Sequence, residues 1–211
     1  MEENRTALTG KVALVTGAAV RVGAEITRTL HAAGMDTVIH YRSSESAARE
    51  LAQGLEDARP GSTLLLQANL AETSSFPEMA AQIHNWRGRL DLLVNNASSF
   101  YPTPLGQCSE RQWDDLMCSN LKAPFFLAQA MAQMLKQNRG NIVNLVDIHA
   151  ERPLDGHSIY SMAKAGNAMM VKTLARELGP GIRVNGIAPG IILWPEAEME
   201  ERIKSEAIAR T

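Results

Sequence analysis

The sequence predicts an α/β fold, one doubly wound parallel sheet with helices on both faces. Three observations predict it. Short runs rich in Val, Ile and Leu recur along the chain, longer amphipathic stretches separate them in strict alternation, and a glycine turn after the first run opens directly into the first amphipathic stretch. At 211 residues the chain can bury one sizeable core, and no repeat, low-complexity tract or long linker divides it, so residues 1–211 read as a single domain.

The elements follow in order. KVALVTG from Lys11 reads as the first buried strand, followed by a helical pattern over 22–33. DTVIHY from Asp36 is the second strand, with a helix over 45–57, and STLLLQ from Ser62 the third, with a helix over 75–87. LDLLVNN from Leu90 is the fourth, followed by one long helical pattern over 109–138. GNIVNLV from Gly140 is the fifth, with a helix over 157–178, and GIRVNGIAPG from Gly181 the sixth. In such a sheet ligands bind outside the carboxyl ends of the strands, so the residues just after each run are the candidate site.

Composition narrows the partners. Apolar residues make up 45% and charged residues 21%, ordinary globular usage, and the net charge of −2 is scattered without a basic stripe, which argues against nucleic acid. No apolar stretch approaches the roughly 20 residues a membrane helix needs, and the opening MEENRTALTG is too polar for a signal peptide, so a cytoplasmic protein with no membrane partner is expected. Cys108 and Cys118 read as reduced structural thiols. The histidines at 31, 40, 84, 149 and 157 show no ligand spacing, so no metal is expected.

The turn TGAAVRVGAEI, Thr16 to Ile26, is where a pyrophosphate would sit. Gly17 lets the backbone approach phosphate oxygens, Gly23 lets the helix pack on the strand, and the helix N-terminus supplies free N–H groups and partial positive charge. Arg21 replaces the middle glycine of the usual three, and its rigid charged fork suits a pyrophosphate or an anionic or carbonyl-bearing substrate. At the end of the second strand, HYRSSES places Arg42, Ser43 and Ser44 where an NAD-specific enzyme carries an acid. A guanidinium and hydroxyls bind the extra phosphate that a carboxylate would repel, which favours NADP(H). Asn69 and Leu70, after the third strand, are positioned to contact the adenine.

Tyr160 and Lys164 lie four residues apart on a helical pattern and so share a face. An ammonium near a phenol favours the phenolate, drawing the hydroxyl toward a range in which it donates and recovers a proton. Asp147 precedes Tyr160 by thirteen positions. An acid there suits a substrate whose ring nitrogens must be bound or protonated.

Taken in this order, TGAAVRVG, NNAS from Asn95 to Ser98, Asn120, and Tyr160 with Lys164 resemble the short-chain dehydrogenase/reductase family, of the Rossmann type, over nearly the whole chain. The resemblance implies that Tyr160 donates the proton, that Lys164 lowers its pKa and holds the nicotinamide ribose, and that Asn120 supports a proton-relay water. It further implies cofactor contacts from Gly17, Arg21, Val22 and Gly23, from Tyr41, Arg42 and Ser43, and from Asn69 and Leu70. Asn96, Ala97, Ser98, Tyr160, Lys164, Pro189 and Gly190 complete the groove.

Arg21, HYRSS, NNASSFYPTPL from Asn95, and Asp147 in place of the family's usual serine resemble the pteridine reductases, with NNASSFYPT the most specific run. This implies an NADPH-dependent reductase of a C=N bond in a pterin or folate substrate. Phe100 would stack the flat ring against the nicotinamide, with Tyr101 as its alternative. Arg21, Ser98, Asp147, Tyr160 and Trp194 would also meet the substrate, Trp194 from a lid over 191–211. The family's chains continue beyond this point with a further helix and a last strand that contributes to a tetramer, so a homo-oligomer is expected, and strand six becomes an exposed edge if the molecule ends at Thr211. Two alternatives stand beside this reading. One is a reductase of small carbonyl compounds or of dihydromonapterin; the other is a non-catalytic NADP-binding sensor, whose usual mark, loss of the tyrosine or lysine, is absent.

Overall fold

Six parallel strands form one sheet in the computed structural model, which describes residues 8–190. They are β1 (Val12–Val15), β2 (Asp36–Tyr41), β3 (Thr63–Gln67), β4 (Leu92–Asn95), β5 (Asn141–Leu145) and β6 (Arg183–Ile187), in the spatial order β3-β2-β1-β4-β5-β6. Each falls where an apolar run predicts it, and every neighbouring pair is parallel. The chain order reverses between β1 and β4, so the connections leaving these strands diverge and open a crevice at their carboxyl ends.

Alternation along the strands builds two core layers. Val12 and Leu14 of β1 pack with residues of α3 (Phe76–Arg87), α5 (Ala123–Gln137) and α6 (Ser158–Leu178), whereas Val15 packs with α1 (Arg21–Ala32) and α2 (Glu45–Ala58). Val38 and Ile39 of β2 divide in the same way, as do Leu93 and Val94 of β4. Because both faces are covered, all four positions of β1 are buried, which is why its sequence is a continuous apolar run. Each fully buried Leu, Ile or Phe in these layers contributes about 1.5–3 kcal/mol. The layers thus hold the strand ends rigidly beneath the crevice.

The segment expected as one helix over 109–138 is interrupted. Ser109 starts α4 (Glu110–Met117) with a capping box closed by Gln112, and the backbone then widens over Cys118–Lys122, where the Ala123 amide reaches back to the Cys118 carbonyl before α5 begins. The cause lies in Pro124. With no N–H it cannot bond the Asn120 carbonyl one turn back, and that oxygen instead accepts from Asn167 Nδ2 of α6 at 2.8 Å. The widened turn therefore carries Asn120 into the site. Among the described residues β6 is an edge strand, with Arg183, Asn185, Gly186 and Ile187 exposed. The expected lid over 191–211, with Trp194, lies outside the described residues.

Candidate active site and cofactor groove

The loop after β1 is fastened to the end of β4 by side chains at the switch point. Thr16 Oγ1 accepts from the amides of Asn96 at 2.9 Å and Ala97 at 3.0 Å, and Asn96 Nδ2 donates to the carbonyls of Thr16 at 2.8 Å and Gly17 at 3.2 Å. Gly23 has no room for a side chain. A Cβ there would lie 2.1 Å from the Gly17 carbonyl oxygen and 2.7 Å from Asn96 Nδ2. This closeness lets the start of α1 sit against the strand ends. Arg21 adopts φ 51°, a left-handed conformation that suits glycine and that an arginine adopts at a cost of about 1–2 kcal/mol. Val22 is half-buried in the first turn of α1.

Beside this loop runs a groove of about 750 Å³, within the size range of sites for small molecules. Its lining includes Gly17, His40, Arg42, Asn69, Leu70, Ala97 and Ser98, together with Cys118, Ser119 and Lys122. His40, at the end of β2, accepts from the Gly17 amide through Nδ1 at 3.1 Å and meets the Ala68 carbonyl through Nε2 at 3.2 Å. Burial pushes its pKa down to about 4, only partly offset by the Ala68 contact. Arg42 and Ser43 are exposed at the mouth, on the turn that leads into α2. Asn69 is committed to its own turn, bonding Glu72 at 3.0 Å and the Ala71 amide at 3.2 Å.

Tyr41, Pro189 and Gly190 do not line this groove. Tyr41 is 6% exposed and packs beneath the loop with Ala18 and Ala19, because alternation on β2 turns it into the α1/α2 layer while His40 beside it faces the groove. Pro189 and Gly190 follow β6 and are not part of the groove's lining.

The catalytic candidates converge next to Ser98. Tyr160 Oη donates to Asp147 Oδ2 at 2.6 Å, Lys164 Nζ donates to the Leu145 carbonyl at 2.8 Å, and Ser98 Oγ donates to Asn120 Oδ1 at 2.7 Å. The spacing of Tyr160 and Lys164 does place both on one buried face of α6. The expected electrostatics do not follow. Burial first, then the hydrogen bond and charge of Asp147, hold the Tyr160 phenol well above its ordinary pKa, while a hydrogen bond with Ser98 works weakly in the other direction. Lys164 Nζ stands 5.6 Å from the Tyr160 ring centroid, and burial lowers its own pKa to about 8. Burial and Asp147 thus both favour the protonated phenol.

Phe100 and Tyr101 take different parts. Phe100 is 55% exposed, stacks on His157 at 4.9 Å and meets the Tyr160 ring edge-on at 4.8 Å. Tyr101 anchors the loop by bonding Asp115 at 2.9 Å and packing beside Leu116 and Ile159. Phe100 is thus the aromatic face available to a ligand.

Sequence reading missed several residues that build the site. Buried amides run head to tail from β4 to the widened turn: Asn95 Nδ2 to Asn144 Oδ1 at 2.8 Å, Asn144 Nδ2 to Asn167 Oδ1 at 2.9 Å, and Asn167 Nδ2 to the Asn120 carbonyl at 2.8 Å. Asn120 Nδ2 in turn holds the Ser99 carbonyl at 2.9 Å. Polar residues at strand and helix positions expected to be apolar were the available signal. Thr16 and His40 open TGAAVRVGAEI and HYRSSES, and His157 opens a helical pattern, but nothing local in the sequence marks their part in the site. Among the described residues no cluster of His, Cys, Asp or Glu is arranged to hold a metal, and no helix is long and apolar enough to cross a membrane.

Comparison with known proteins agrees with this geometry. Residues 11–206 match the family model for short chain dehydrogenase. Pteridine reductase 1 of Leishmania tarentolae is 38% identical, over 90% of this chain and 80% of that relative. The 3-oxoacyl-(acyl-carrier-protein) reductase of Synechocystis sp. is 35% identical, over 96% of this chain and 81% of the relative. The enzyme of that name from Staphylococcus epidermidis is 36% identical, over 87% and 75%.

Proposed function

The chain belongs to the short-chain dehydrogenase family, and from that premise we propose that it is an NADPH-dependent reductase of a C=N bond in a pterin or dihydrofolate. The bound dinucleotide would supply the hydride. The residues at hand fit such a cofactor: the absence of a side chain at Gly23 lets the start of α1 pack closely on the loop after β1, beside the groove, and Arg42 with Ser43 offers the charge and hydroxyl that a 2′-phosphate requires.

The observation that carries the substrate reading is the 2.6 Å hydrogen bond from Tyr160 to Asp147. A carbonyl substrate needs one proton donor. A ring nitrogen with a neighbouring N–H is served by a donor and an acceptor side by side, which the phenol and the carboxylate provide. Tyr160, whose protonated form the site favours, gives its proton to the ring nitrogen, and Asp147 orients the phenol and binds the adjacent N–H. Phe100, exposed beside Tyr160, offers a flat face to the ring.

A second reading, reduction of a 3-oxoacyl or other small carbonyl compound, is favoured by the names of the Synechocystis and Staphylococcus relatives. The exposed Phe125, Phe126 and Met169 on α5 and α6 support a homo-oligomer, and the two unpaired thiols, Cys108 and Cys118, suit the cytoplasm. The deciding experiment follows NADPH absorbance with dihydrobiopterin, dihydrofolate and a small diketone, in the wild type and in Asp147→Ser and Tyr160→Phe. Pterin turnover that collapses in both variants supports the proposal. Turnover of the diketone alone, indifferent to Asp147→Ser, overturns it.

A further inference from the structure

We propose that His40 is a positioning residue for the cofactor: it fixes the phosphate loop after β1 against the turn after β3 and so sets NADPH affinity without touching the reacting atoms. The inference rests on the reading of the groove as an NADPH site. His40 is 2% exposed and stands on β2, the strand between β1 and β3 in the sheet. Its ring spans the two flanking connections, accepting from the Gly17 amide at 3.1 Å and meeting the Ala68 carbonyl at 3.2 Å. Ala68 directly precedes Asn69 and Leu70 in the groove wall.

The two contacts define one tautomer. An amide N–H needs an acceptor, so Nδ1 is bare; a carbonyl needs a donor, so Nε2 carries the hydrogen. A doubly protonated ring would turn N–H against the Gly17 N–H, and burial, which pushes the pKa down to about 4, keeps the ring neutral at physiological pH. The His40 main chain adds a third tie, since its carbonyl accepts from the Ala18 amide at 2.8 Å. The amides of Gly17 and Ala18 are therefore both turned inward. Donors for a phosphate come instead from the start of α1, whose position the His40 contacts help to set.

Three substitutions separate the contacts. His40→Asn keeps an acceptor near the position of Nδ1, His40→Gln reaches the position of Nε2 and leaves the Gly17 amide without its acceptor, and His40→Leu removes both. NADPH affinity is measured by fluorescence titration, KM and kcat by steady-state turnover, and folding by thermal melts. The expected result is a loss of NADPH affinity of about tenfold in His40→Leu and His40→Gln, with kcat at saturating NADPH within about threefold of wild type and affinity largely restored in His40→Asn. If His40→Leu does not fold, the contrast between His40→Gln and His40→Asn carries the same test. Wild-type affinity in His40→Gln, a loss in His40→Asn equal to that in His40→Gln, or a fall in kcat that tracks the fall in affinity overturns the inference. A wild-type protein that binds neither NADPH nor NADP⁺ overturns the cofactor reading as well, whereas normal binding that ignores all three substitutions overturns this inference alone.

Discussion

Tyr160 Oη donates to Asp147 Oδ2 at 2.6 Å, while the other oxygen of the same carboxylate accepts from the His149 amide at 2.9 Å. Asp147 is thereby held by the turn that follows β5, with its second oxygen toward the phenol. One side chain both shapes the turn and faces the chemistry.

Asp147→Asn tests the electrostatic half of that arrangement. Tyr160 is an acid only while protonated, so activity is present below its pKa and falls as pH rises through it. Burial and Asp147 place that fall above the ordinary phenol range near 10. In Asp147→Asn the alkaline fall moves to lower pH, and kcat at pH 7 drops by about 10–100-fold. Profiles of kcat against pH for both proteins check this; superimposable alkaline limbs would refute it.

Lys164 sets function against stability. Its folded pKa of about 8 lies below the ordinary 10.5, so the unfolded chain binds more protons between those values and stability rises with pH across that window. Below pH 8 the cost of the buried charge is fully present. Replacing it in Lys164→Met raises stability at pH 7 by about 1–2 kcal/mol after loss of the hydrogen bond to Leu145, and the gain shrinks toward pH 10.5. Turnover is lost. Thermal melts at pH 7 and 10 read the first effect, and a variant that melts below wild type at both would contradict it.

The glycine loop gives two opposed outcomes. Gly23→Ala drives a Cβ into the Gly17 carbonyl, 2.1 Å away, and is expected to destabilise the fold by at least about 2 kcal/mol and to abolish NADPH binding. Arg21→Gly relieves the left-handed strain and raises stability by up to ~1 kcal/mol, while NADPH KM rises about tenfold. Melting curves and KM values for the pair distinguish a strained functional arginine from a passive one.

Asn167→Leu breaks the amide chain in its middle, leaving Asn144 Nδ2 and the Asn120 carbonyl without their partner. Each orphaned buried group costs about 1–3 kcal/mol. In the double variant Asn144→Leu with Asn167→Leu the facing pair goes together and only Asn95 Nδ2 and the Asn120 carbonyl lose their partners, so its loss is smaller than the sum of the two single variants. Denaturant titrations of the single and double variants measure the coupling, and strict additivity would show that the chain does not act as a unit.

The sequence by itself determined the elements and the motifs that are local in the chain. Strand and helix periodicity, the glycine turn at Gly17 and Gly23, and the four-residue spacing of Tyr160 and Lys164 are legible because each depends on neighbours within a turn or a strand. The widened turn at Asn120 was not legible in the amphipathic pattern, although Pro124 was its local cause. What only the tertiary structure decided is which distant residues meet. Thr16 bonds Asn96 across 80 positions, Gly17 bonds His40 across 23, and Asn167 reaches Asn120 across 47. These pairings depend on β1 lying between β2 and β4 and on the register of parallel strands, which a pattern of apolar and polar residues along one chain does not encode. The same packing bears on Tyr160: spacing set Lys164 on its face of the helix, but burial and the approach of Asp147 from the end of β5 raise the pKa of the phenol.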